Sequence, residues 1–328
     1  MLEGSVQRNQ NRVRVNAQLV DTESGVHLWA DRFDEEVGDL FKLQDETVTR
    51  LADSLGYALT KAEADKGGHS KNPDVIDLRM RGWSVLDSHF GQGPKEPRSA
   101  VNEARALFDH ALEIDPNDAG SLAGSAAAYL AEYFLGSGEP GTDYETKVLG
   151  QADRAIALDP DNVEAYPPKA DYLALSRRPN ESLGVADAGL AINPNYVPLY
   201  LPRIAAELSL GRFEQAKNDA ERAMRLSPRD PLVGIFRVQL GGAELSFGHV
   251  DAAIDEYRKA IDFGNHEYYA YANLAAAYAQ AGKMDEAKAA LEEARSRNPE
   301  LTAKWMKEHT PNLPAVFDGL RKAGLPEE

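Results

Sequence analysis

The sequence predicts a mostly α-helical chain: an α-solenoid of antiparallel helix pairs over 72–300, preceded by a small α+β segment over 1–66 and closed by capping helices over 301–328. Two observations predict it. Alternation of apolar and polar residues, the mark of a strand with one buried face, is confined to the stretch before Asp34. Beyond residue 72 the chain becomes a series of Ala-rich helical stretches whose ends recur at a fixed interval.

The N-terminal elements follow in order. Val13, Val15, Ala17 and Leu19 alternate with Arg12, Arg14, Asn16 and Gln18, giving a strand over 12–20. A shorter strand over 2–8 precedes it through the turn-tolerant Asn9-Gln10-Asn11, and a third over 26–33 follows Asp21-Thr22-Glu23-Ser24-Gly25, making a three-stranded antiparallel meander. The period then changes to 3.6. Leu40, Phe41, Val48, Leu51, Leu55, Leu59 and Ala62 share one stripe, Asp39 is placed to cap it and Gly67-Gly68 to end it, so one long helix is expected over 39–65.

The repeat carries the rest. Helices end in Asp115-Pro116, Asp159-Pro160, Asn193-Pro194, Ser227-Pro228 and Asn298-Pro299. Pro160, Pro194 and Pro228 stand 34 residues apart, and Asn265, in the proline's place, stands 34 before Pro299. The longer intervals, 44 from Pro116 and 37 from Pro228, accommodate a Gly/Pro-rich insert around 136–142 and extra residues near Pro231. Two helices per 34 residues is the period of the tetratricopeptide repeat. In the last unit Tyr271, Leu274, Ala275, Tyr278, Gly282, Ala287, Ala294 and Pro299 fill its positions. The small residues Ala216 and Ala223, Ala253 and Ala260, and Ala287 and Ala294 let paired helices approach. Gly248 and Gly282 turn the chain, and Pro228 and Pro299 end second helices. The third unit departs from the pattern, with Arg177 and Pro179 where a turn glycine and an aromatic belong. Pro167-Pro168 and Pro202 predict late starts or kinks in first helices. Five full units and an atypical helix pair over about 74–114 are expected.

Composition narrows the function. There are 36 Lys plus Arg against 53 Asp plus Glu, a net charge of −17, and no basic block, which argues against nucleic acid and anionic membrane surfaces. The absence of cysteine excludes disulfides, thiolate catalysis and iron–sulfur clusters. No apolar run reaches the length of a membrane span, and a cytoplasmic location is expected.

Chemical motifs give little. Gly136-Ser-Gly138-Glu-Pro-Gly141 matches a dinucleotide pattern in letters but follows a helix instead of a strand. His266-Glu267 begins a zinc-protease string whose second histidine is replaced by Ala270. Asp159-Pro-Asp161-Asn162 fits helix capping better than a calcium loop. No catalytic residue, cofactor or metal is expected. The expectation is instead a concave groove lined by first helices, with Tyr268, Tyr269, Asn273, Ala276, Gln280 and Tyr200 as candidate contacts for a protein or peptide segment. Asn273 resembles a member of the two-carboxylate clamp found in some tetratricopeptide domains. The lysines and arginine of that clamp are replaced by Pro167, Pro168, Asp171, Leu201, Pro202 and Ala205.

A more specific resemblance rests on Leu2-Glu-Gly-Ser-Val, Asn11-Arg-Val-Arg-Val, Ala17-Gln-Leu-Val-Asp21, Gly25-Val-His-Leu-Trp29-Ala-Asp-Arg-Phe33, Asp39-Leu-Phe-Lys-Leu-Gln44-Asp-Glu46 and the ending Gly319-Leu-Arg-Lys-Ala-Gly-Leu-Pro-Glu327. The chain resembles the C-terminal, non-catalytic region of bacterial class III adenylate/guanylate cyclase-like multidomain proteins, namely part of an intermediate domain followed by the repeats. The resemblance implies a regulatory, partner-binding module that engages a cyclase or other effector domain in cis or in trans. It carries over no catalytic residue, because the cyclase core precedes this region in the family. The alternatives are a cyclase-associated enzyme subunit and an element that self-associates, as a homo-oligomer, through the unpaired edge of the first strand.

Overall fold

The computed structural model describes residues 2–9, 12–20, 27–36, 75–92, 97–135, 138, 141–228, 230, 232–310 and 313–328. The helix expected over 39–65 lies outside the described residues. Strands β1 (Leu2–Asn9), β2 (Arg12–Val20) and β3 (His27–Glu36) form an antiparallel sheet in the order β1-β2-β3. The register sets Val6 opposite Val15 and Val15 opposite Phe33, with an irregularity at Leu19/Val20. The facing pair Ser5 and Asn16 is tied by a hydrogen bond of 3.1 Å from Asn16 Nδ2 to Ser5 Oγ.

Helices α1 (Val75–Gln92) and α2 (Pro97–Ile114) form the atypical first pair. The following pairs are α3 (Ala119–Leu135) with α4 (Gly150–Leu158), α5 (Tyr166–Leu175) with α6 (Pro179–Ile192), and α7 (Tyr200–Ser209) with α8 (Phe213–Leu226). Next come α9 (Val233–Ser246) with α10 (Val250–Asp262) and α11 (Tyr268–Gln280) with α12 (Met284–Arg297), before α13 (Ala303–His309) and α14 (Pro314–Ala323). Each first helix packs on its own partner and on the second helix of the preceding unit, as a solenoid requires.

The small residues of the repeat sit where helices meet. Ala216 and Ala223 on α8, Ala253 and Ala260 on α10, and Ala287 and Ala294 on α12 are all fully buried. Ala223 and Ala260 also serve through their backbones. The carbonyl of Ala223 accepts from the N–H of Ser227 at 3.1 Å, and that of Ala260 from the N–H of Asn265 at 3.0 Å, closing the last turn of each second helix. These alanines are packing positions with no surface to offer a partner.

Two local devices recur. Asp159, Asn193 and Asn298, each before a proline, leave the helical region for an extended backbone. Their side chains accept from the N–H two residues on: Asp161, Asn195 and Glu300, at 3.2, 3.0 and 3.1 Å. The string at Asp159 is therefore a turn and cap. Between the two helices of a unit, Gly211, Gly248 and Gly282 take left-handed φ values of 72°, 83° and 75°, and Arg177 adopts the same conformation at 61°. The missing turn glycine of the third unit thus leaves the turn intact and places an arginine in a strained backbone. The prolines act as expected. A 3₁₀ turn, Val163–Ala165, precedes α5, which carries Pro167-Pro168 in its first turn; a second, Val197–Leu199, precedes α7. No helix among the described residues is long and apolar enough to cross a membrane.

Candidate protein-binding groove

The first helices α3, α5, α7, α9 and α11 stand side by side and form one wall of the solenoid. Counting along the repeat, Asp171, Ala205, Gly242 and Ala276 are equivalent positions on α5, α7, α9 and α11. The structure fills half of this column with the chain's own C-terminus. Helix α14 lies along α11 and reaches α9, instead of stacking behind α12 as a further first helix would. A Cβ built on Gly319 would stand 2.7 Å from Ala276 Cα and 2.8 Å from its carbonyl carbon, so the two backbones touch. Gln280 Nε2 donates to the carbonyl of Ala315. Leu313 Cδ1 would be 3.2 Å from a Cβ on Gly242. The tail then turns back, with Ala303 N–H and Lys304 N–H donating to the carbonyls of Pro326 and Glu327 at 2.8 and 3.1 Å.

This placement corrects the expected groove. Ala276 is fully buried under α14, Gln280 is engaged by it, and Asn273 is 9 % exposed with Nδ2 donating to Tyr269 O at 2.7 Å. Tyr200 is 2 % exposed, a core residue whose hydroxyl donates to Pro194 O at 2.8 Å. Tyr268 and Tyr269 are half-buried. Tyr268 meets Trp305 edge-on at 5.2 Å and Tyr269 at 5.4 Å, so it seats α13. The expectation of plain capping helices missed that one of them turns into the groove.

Burial along the column shows where the cover ends. Ala276 and Gly242 are buried, Ala205 is 8 % exposed, and Asp171 is half-buried. Among the described residues the less covered part of the wall thus comprises α5 and the near side of α7, where Pro167, Asp171, Leu175 and Leu201 are half-buried.

Sequence reading also missed the carboxylates of the first helices. Glu207 and Glu244 stand where the last unit has Tyr278, and a repeat-by-repeat comparison of that position exposes them. Three of these carboxylates have cationic partners. Arg105 of α2 meets Glu132 of α3 at 2.6 Å, and Lys217 of α8 meets Glu244 of α9 at 2.7 Å. Burial pushes the Glu244 carboxyl up, but hydrogen bonds from Lys217 and His249 outweigh it and hold it below its usual range. Arg203 Nε faces Asp219 Oδ2 at 3.1 Å, Asp187 Oδ1 at 3.4 Å and Glu207 Oε1 at 3.7 Å. Burial, aided by Asp219 and opposed by Arg203, pushes Glu207 up to about 7. Asp171 of α5 differs: burial alone pushes it up to about 8, and no charged group among the described residues acts on it. Among the described residues no group of three metal-ligating side chains converges.

Comparison with known proteins places this geometry. The tetratricopeptide-repeat family profile matches residues 244–305. A curated relative from Rhizobium meliloti (strain 1021), named "Putative adenylate cyclase 3", is 31 % identical over 184 residues, which is 56 % of this chain and 30 % of the relative. The chain thus spans less than a third of that relative's length. Among solved structures, the APC/C hetero-tetramer Cut9-Hcn1 aligns over 81 % of this chain and 48 % of its own, with a TM-score of 0.60 at 15 % identity. A human IFIT1 dimer with m7Gppp-AAAA aligns over 68 % of this chain and 50 % of its own, with a TM-score of 0.56 at 19 % identity. The chain contains tetratricopeptide repeats, and its fold is that of the helical-repeat solenoids.

Proposed function

We propose that this chain is a non-catalytic protein-interaction scaffold whose open first-helix wall holds a segment of another protein, and that it is the regulatory part of a cyclase-like signalling protein. One observation carries the reading: α14 seals the wall at α9 and α11 but leaves it open at α5 and α7. A solenoid that needed its wall only for stability would gain by covering all of it. The cyclase connection is supported by the 31 % identical relative and by the N-terminal string resembling cyclase intermediate domains. The oligonucleotide held by the IFIT1 dimer is a poor guide here, since a net charge of −17 without a basic block repels phosphate.

The test is hydrogen exchange on the full chain mixed with the catalytic region of the Rhizobium meliloti relative. Slowed exchange in 166–175 and 200–209 is expected, together with no cyclic nucleotide formed by the chain alone from ATP or GTP with divalent metal. Metal-dependent turnover by the chain alone would favour the enzyme-subunit alternative. Unchanged exchange would remove the cyclase as the partner.

A further inference from the structure

We infer that the open wall is a subsite for a lysine or arginine side chain, which the partner segment delivers to Asp171 between apolar neighbours. The inference rests on the groove reading above and names the partner's chemistry.

Three independent observations lead to it. The first is register. Asp171 occupies the repeat position at which the other first helices carry Ala205, Gly242 and Ala276. Two of those positions are contacted by Leu313 and Gly319 from the groove side, so this register points into the groove, and among the described residues the Asp171 end of it is the one not buried. The second is pairing. Among the described residues, α3, α5, α7 and α9 each carry one carboxylate, and Glu132, Glu207 and Glu244 have an arginine or lysine of the chain within 3.7 Å. Among those same residues Asp171 finds neither an ion pair nor a hydrogen bond, and burial alone acts on it. The nearby Lys169 is committed elsewhere, 2.6 Å from Asp153. A half-buried carboxyl without a counterion is costly to ionise, and a cation supplied from outside offsets that cost. The third is the setting. Pro167 and Leu175 stand one helical turn before and after Asp171 on α5, and Leu201 and Ala205 hold the positions of Pro167 and Asp171 on the adjacent α7. The register thus surrounds the carboxyl with apolar residues, which suit the aliphatic stem of a lysine or arginine and the apolar residues beside it. The occupant is thus a polypeptide segment with one basic residue among apolar ones, running along α5 and α7 and stopping where α14 begins.

A phage-displayed random dodecapeptide library panned on the immobilised full chain provides the probe. The best-enriched peptide is then synthesised for fluorescence anisotropy. Enriched peptides should share a Lys or Arg flanked by apolar residues. Asp171→Asn should weaken the chosen peptide by about 10- to 100-fold. Replacing the peptide's basic residue by Gln should cost the same against the wild-type chain and almost nothing against the variant. That second arm leaves the protein untouched, so a folding defect in the variant cannot imitate the result. Enriched peptides without a basic residue, or equal binding by the variant, would overturn the inference while leaving the groove reading in place. No enrichment of any peptide would overturn both.

Discussion

Substituting Gly319 by Ala tests whether α14 truly rests on the backbone of α11. The added methyl would stand 2.7 Å from Ala276 Cα, inside the ~3.0 Å closest approach of real Cβ atoms, and the opposing atoms are backbone that no rotamer change can move. Helix α14 must therefore lift. Complete release would expose Leu313, Val316, Phe317 and Leu320, each at most 9 % exposed, at about 1.5–3 kcal/mol per side chain. A small displacement is cheaper, and overpacking of this kind costs about 1–3 kcal/mol. Replacing a mid-helix glycine by alanine returns about 1 kcal/mol of helix propensity. The expected net change is thus a loss of about 0–2 kcal/mol, in place of the gain that propensity alone would give. Gly184→Ala in α6 supplies the control, because a Cβ there meets nothing within 4 Å. It should stabilise by about 0.5–1 kcal/mol, the propensity gain alone. Urea unfolding gives both numbers, and hydrogen exchange should quicken in 269–280 and 313–325 for Gly319→Ala only. Equal stabilisation by both substitutions, with exchange unchanged, would refute the seating of α14 in the groove.

Two further outcomes are expected. Arg177→Gly should raise stability by about 0.5–1 kcal/mol in thermal or urea unfolding, because it relieves the one described non-glycine residue with positive φ while keeping the turn that Gly211, Gly248 and Gly282 make. Glu207→Gln should alter the pH dependence of stability. With the folded carboxyl at about 7 against an ordinary 4.5, the unfolded chain releases this proton first, so the wild type loses stability as pH rises between these values and levels off above 7. The variant lacks that loss, and the stability difference should shift in its favour from about pH 5 to about pH 7.5. A difference independent of pH would show that Glu207 is not held protonated beside Asp187, Asp219 and Arg203.

Much of the fold was legible because repeats write their geometry in one dimension. The 34-residue spacing of Pro160, Pro194 and Pro228 and the alanine pairs identified the helix pairs. Close packing at Ala216 and Ala223, or at Ala253 and Ala260, depends only on local partners, and all four are fully buried. The strands were legible for the same reason, as alternation in 12–20 is a local signal. The groove was not. Ala276 and Gln280 have the same local sequence whether the wall above them is bare or covered, and nothing near them states that Gly319 and Ala315 return to them from 35 to 43 residues further on. Tyr200 misled because tyrosine suits an interface and a core equally, and only the carbonyl of Pro194 beside its hydroxyl decides between them. Asp171 was visible as a departure from a clamp pattern, yet its isolation needs the whereabouts of Lys169 and Asp153, which are matters of tertiary structure.

The return of α14 onto α9 and α11 also bears on how such an array can lengthen. A solenoid whose units touch only their neighbours accepts a duplicated unit at any junction. Here the terminal helix binds across two consecutive first helices, so a unit inserted after Pro299 would separate α14 from the surface it fits. The last two units and the tail therefore form a closed block, and a unit added or removed before α9 would leave the contacts of that block in place.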